Sequence, residues 1–129
     1  MNHKIICNIQ YWDDHTAYYL MESHGNGLVR LTVYDDGYSE LSDLFVSEDS
    51  RKNGIATALV NEAIQYFKQC EMEPTELKVL LSQDNPYNSF LKDWYQKLGF
   101  KHKGIEAPLK SFDEDKHEFK WYDIFVMNN

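Results

Sequence analysis

Apolar and polar positions alternate along the first third of the chain and then change period. Residues 4–10 (KIICNIQ) and 16–22 (TAYYLME) are short runs rich in β-branched and aromatic side chains, bounded by polar breaks, and both predict strands. SHGNG at 23–27 is a turn signal, with glycines free to take positive φ. In LVRLTVY at 28–34, Val29, Leu31 and Val33 alternate with Arg30, Thr32 and Tyr34, which predicts a third strand. DDG at 35–37 marks a second turn and YSELSDLFV at 38–46 a fourth strand. The pattern is that of an antiparallel meander with no helix.

From Gly54 to about Gln69, Ile55, Leu59, Val60, Ala63, Ile64 and Phe67 recur at helical spacing. ELKVLLS at 76–82 predicts a buried strand, and DNPYNSFLKDWYQKLGF a second helix. Asn85 is its expected cap, Pro86 sits in its first turn and Gly99 closes it. Tyr87, Phe90, Leu91, Trp94, Tyr95 and Leu98 form one apolar stripe on that helix. Strands at 100–105 and 118–126 finish the chain. The predicted order is ββββαβαββ, an α+β or mixed α/β fold. A helix crossing between the fourth and fifth strands favours parallel pairing there. At 129 residues the chain is expected to form one domain, residues 1–129.

Charge narrows the function classes. The formal net charge of -8 argues against nucleic-acid binding, which relies on clustered Lys and Arg. No run approaches membrane-spanning length and the N-terminal residues do not read as a secretory signal. Cys7 and Cys70 are expected to be free thiols in a reducing cytoplasm, not a disulfide. His3, His15, His24, His102 and His117 never fall at i, i+4 spacing, so no metal site from sequence-local ligands is expected.

One detail changes the picture. Between Arg30 and Lys68 the only cationic side chains are Arg51 and Lys52, amid Asp35, Asp36, Glu40, Asp43, Glu48, Asp49 and Glu62. They stand directly before Asn53 and Gly54, where the first helix opens. A helix start has unpartnered N–H groups and a positive dipole end. Gly54 and Ala56 let an anion approach the backbone, Arg51 adds a guanidinium fork, and Thr57 offers a hydroxyl. Neither a G-x-x-x-x-G-K-[ST] loop nor a G-x-G-x-x-G fingerprint is present. Taken alone, R-x-x-G-x-A at 51–56 is a weak signal and reads by default as a solvated loop before a small-residue helix start.

The flanking residues add weight to it. LSDLFVSEDSRKNGIATALVNEAIQYF resembles the cofactor-binding motif of the GCN5-related N-acetyltransferase (GNAT) superfamily. NSFLKDWYQKLGF, with Asn88, Trp94, Tyr95, Gly99 and Phe100, resembles a second motif of that family. The resemblance covers about residues 38–105. It implies a central, mostly antiparallel sheet with a parallel, splayed strand pair around the crossover helix, and acetyl-CoA as the acyl donor. Backbone amides of Arg51, Lys52, Asn53, Gly54, Ile55 and Ala56 would hold the pyrophosphate. Leu44, Phe45 and Val46 would pair with the pantetheine arm, and Asn88 would contact it. Tyr95 matches the residue that protonates the departing thiolate. Glu40 is the first candidate for the general base and Asp43 its rival, on the opposite face of the strand unless a bulge intervenes.

The acceptor is expected to be a small-molecule or peptide primary amine. Family members usually carry one or two helices after the first strand, where this chain has only YWDDH. A loop or hairpin, a wide opening or a second subunit of a homodimer would then stand in for that wall. Two functions follow: an N-acetyltransferase acting by direct attack in a ternary complex, or a catalytically quiet acyl-CoA-binding module of the same fold.

Overall fold

The computed structural model describes residues 4–13, 16–23, 25–50, 53–107, 112–113 and 118–129. Its contacts group into two compact units: one runs through Leu77 and includes Asn128 and Asn129, and the other is Lys78–Met127.

The first unit is built on a meander of β1 (Ile6–Asp13), β2 (Thr16–Glu22), β3 (Gly27–Tyr34) and β4 (Tyr38–Val46). β1 pairs with β2 directly, Asp13 opposite Thr16, so a tight hairpin stands where a helical wall was in question. The register sets Ala17, Tyr19 and Met21 beside Val33, Leu31 and Val29, and Leu41 beside Leu31, all buried on one face. Helix α1 (Ile55–Gln69) covers that face. Its buried residues, Ile55, Leu59, Val60, Ala63, Ile64 and Phe67, are the periodic set expected from the sequence.

After α1 the chain returns to start β5 (Glu76–Ser82) beside the start of β4. The N–H groups of Thr75 and Glu76 both donate to the Gly37 carbonyl, at 2.9 and 3.2 Å. The buried Ser39 hydroxyl donates to the Glu76 carbonyl. Two neighbouring strands that begin side by side run parallel, and α1 is the crossover this requires.

The second unit holds the rest of β5, helix α2 (Asn88–Lys97), β6 (Lys101–Glu106), the short pair β7 (Phe112–Asp113) and β8 (Glu118–Phe119), and β9 (Tyr122–Asn128). β9 lies between β5 and β6. It is antiparallel to β6, and at the end of β5 the Gln83 N–H donates to the Trp121 carbonyl just before β9. β5 and β6 therefore share a direction.

Three sequence expectations need correction. Asn85 does not cap α2: its Oδ1 accepts from the Tyr87 N–H at 2.8 Å, closing a turn of its own, and the helix begins at Asn88. Tyr87 and Phe90, expected on the buried stripe, are 60% and 68% exposed. Tyr95 is the one buried residue of α2. The last strand is interrupted at Lys120 and Trp121, giving β8 and β9 in place of a single run.

Gly27 fixes how closely α1 lies on the sheet. A Cβ there would stand 3.0 Å from Leu59 Cδ1 and from the Phe45 carbonyl oxygen, and 3.2 Å from Ile55 Cγ2. Gly27→Ala is expected to cost about 1–3 kcal/mol by overpacking, read by urea unfolding; unchanged stability would mean that the contact is slack.

Candidate functional site

In the first unit, α1 opens on Gly54, whose φ of 79° lies in the left-handed region that disfavours a Cβ. The Ala58 N–H reaches back to the Gly54 carbonyl at 3.0 Å. The N–H groups of Ile55, Ala56 and Thr57 precede any carbonyl that the helix could offer them. No acidic side chain occupies this turn, so nothing within it offsets the positive end of the dipole. Ile55 points into the core, Ala56 and Thr57 are half-buried, and Asn53 and Gly54 are exposed. Such an end suits a phosphate group. Arg51 and Lys52 lie outside the described residues.

β4 leads into this helix through a bulge. Ser42 opposes Arg30 and Phe45 opposes Leu28, so Asp43 and Leu44 together face Val29 alone. Asp43 absorbs the extra residue at a φ of 55°. Val46 consequently pairs with Gly27 on the face toward α1, Leu44 is half-buried, and Phe45 is 53% exposed.

The two candidate bases are already engaged. Asp43 takes the Arg30 guanidinium at 2.9 Å on the surface. Glu40 accepts from the Tyr38 hydroxyl, which burial and then the Glu40 charge push well above its ordinary pKa. Tyr38 also stacks on Tyr34 with ring centroids 5.6 Å apart.

In the second unit, the Tyr95 ring packs between Phe100 and Phe125, with centroids 5.8 and 5.4 Å away. Burial pushes its hydroxyl up to about 12, which keeps it a donor at neutral pH. That hydroxyl has no hydrogen-bond partner among the described residues. No sealed side-chain oxygen among them lacks one, so the tip of Tyr95 reaches solvent while its ring does not.

Asn88, at the start of α2, donates through Nδ2 to the Ser82 carbonyl at 3.1 Å and to Asp123 Oδ2 at 3.0 Å. Asp123 lies on β9 and is 0% exposed. Its other oxygen accepts from His102 Nε2 at 2.8 Å, with Lys92 Nζ at 3.7 Å. Burial pushes the Asp123 carboxyl up, but the bonds from Asn88 and His102 and the Lys92 charge outweigh it and hold the group below its ordinary value.

A family model described as the acetyltransferase (GNAT) domain matches residues 13–102. The chain belongs to the GNAT family. It is 36% identical over 67 residues to an uncharacterized N-acetyltransferase of Methanocaldococcus jannaschii, covering 52% of this chain and 27% of that protein. It is 33% identical over 51 residues to streptothricin acetyltransferase A of Bacillus subtilis, covering 40% of this chain and 30% of that one. The chain thus spans less than a third of the length of either relative. Its fold is similar to that of a GNAT family acetyltransferase from Elizabethkingia anophelis solved with acetyl-CoA bound. The TM-score is 0.69 at 15% identity, over 97% of this chain and 98% of that one.

In this GNAT chain the motif residues were readable from sequence, but Asp123, His102 and Lys92 were not. The one available signal was a lone acid inside the apolar run YDIFV.

The depressed folded-state pKa of Asp123 gives a signed prediction. A carboxylate more acidic when folded stabilises the protein above its unfolded pKa, and that stabilisation is lost as pH falls through the folded value. Asp123→Asn is expected to cost about 1.5–3 kcal/mol at neutral pH, measured by urea unfolding. The gap to the unaltered protein should shrink below about pH 4; a gap that stays constant would contradict the assignment.

Proposed function

We propose that this chain is an acetyl-CoA-dependent N-acetyltransferase that moves an acetyl group to a primary amine by direct attack in a ternary complex. The observation that carries this reading is the glycine-led, acid-free start of α1 directly after β4 in a GNAT-family chain. Backbone amides of Asn53, Gly54, Ile55 and Ala56, with the Thr57 hydroxyl, hold the donor's pyrophosphate, joined by Arg51 and Lys52. Leu44, Phe45 and Val46 offer backbone groups to the pantetheine arm.

The amine nitrogen attacks the thioester carbonyl carbon, the C–S bond breaks, and sulfur leaves as a thiolate. The amine's surplus proton goes to a base, for which Glu40 is the first candidate.

Tyr95 serves the leaving sulfur. A hydroxyl near 12 gives up its proton less readily than a thiol near about 8.5. Tyr95 therefore stabilises the thiolate chiefly as a hydrogen-bond donor, and solvent completes the protonation. Its solvent-reaching tip and buried ring support this role. Tyr95→Phe is expected to lower kcat about 10- to 100-fold while leaving the Kd for CoA unchanged; equal kcat in both forms would remove Tyr95 from the chemistry.

The direct β1–β2 hairpin favours a second reading, a quiet acyl-CoA-binding module without an acceptor wall. Thiol release from acetyl-CoA across a panel of amines and peptides separates the two. The enzyme releases CoA with at least one acceptor, whereas the module binds CoA and releases none.

A further inference from the structure

Both partners of Asn88 Nδ2, a backbone carbonyl and a carboxylate, are pure acceptors. This fixes the polarity of the side-chain amide: its nitrogen faces inward and its oxygen outward. Asn88 Oδ1 has no partner among the described residues, and no sealed side-chain oxygen there lacks one, so it is open to a ligand. Asp123 cannot move to suit another arrangement. It is buried, and its second oxygen is committed to His102 and Lys92. His102 is itself braced on Phe125, with ring centroids 5.0 Å apart.

We propose that Asp123, braced by His102 and Lys92, is a positioning residue that locks Asn88 with its carbonyl oxygen presented, so that this site takes an amide N–H of the donor's pantetheine arm. The inference rests on the acetyl-CoA reading above and deepens it. A freely rotating asparagine would accept either end of an amide. The locked one accepts only from a donor, and so selects the N–H edge and fixes the arm's register. His102 Nε2 carries the proton in this arrangement, because an ionised carboxylate can only accept.

The test compares calorimetric affinities for CoA and for adenosine 3′,5′-bisphosphate, which lacks the pantetheine arm. Asn88→Ala and Asp123→Asn are each expected to weaken CoA up to about tenfold and to leave the bisphosphate unchanged, which also shows that the variants are folded. If Asp123 acts through Asn88, the double variant loses no more selectivity than Asn88→Ala alone. His102→Ala supplies a second variant that keeps the buried carboxylate, and it should reduce selectivity in the same direction. Equal loss of both ligands in Asp123→Asn and His102→Ala, or multiplying effects in the double variant, would overturn the inference alone. Failure of the unaltered protein to bind CoA would overturn the acetyl-CoA reading and this inference with it.

Discussion

The close approach of α1 to the meander is the constraint on which the first unit depends. A helix terminus binds an anion only where it is held, and a helix of this length owes most of its stability to the face that it buries. Here Leu59, Val60, Ala63 and Phe67 are fully covered against Val29, Leu31 and Val33. The absent side chain of Gly27 allows the first turn to come down beside the end of β4. The same apolar packing that stabilises the fold thus decides where unpartnered N–H groups meet solvent. A small shift of the helix would move those groups and would alter the crossover that brings the start of β5 to the start of β4.

The second unit uses a different device. Its organising group is charged and fully buried, a placement that is tolerated only when hydrogen bonds and counter-charges replace the lost water. Asp123 has both. The carboxylate draws together a helix N-terminus, the last carbonyl of β5 by way of Asn88, and a residue of the neighbouring strand, and so fixes the relation of α2 to β6 and β9. Tyr95 stands by contrast on aromatic contacts alone, which leaves its hydroxyl uncommitted.

How much of this the sequence disclosed follows the range of the interactions involved. α1 was readable because its period is local and its buried set lies within one helix. The β2, β3 and β4 strands were readable because alternation and turn residues agree. α2 was misread at its start: Asn85 has the chemistry of a cap, yet its side chain serves a turn instead, and the aromatic character of Tyr87 and Phe90 suggested burial that the fold does not give them. Asp123 was invisible because its partners lie 35 and 21 residues away. A single acid in an apolar strand carries no periodic trace. The bulge in β4 was only a conditional expectation, since nothing local distinguishes Asp43 from its neighbours until β3 is laid against it.

That bulge acts as a phase shift. Before it, odd-numbered residues of β4 point toward α1; after it, even-numbered ones do. One strand thereby follows two opposite reading frames, odd-numbered residues meeting the core before the bulge and even-numbered ones after it. Straightening the bulge without removing a residue would carry the first frame through the strand, turning Phe45 inward and Leu44 and Val46 outward, with no change in the apolar content of the strand. The identity of the residues at this edge therefore matters less than their count, and homologous strands are best aligned from the bulge outward.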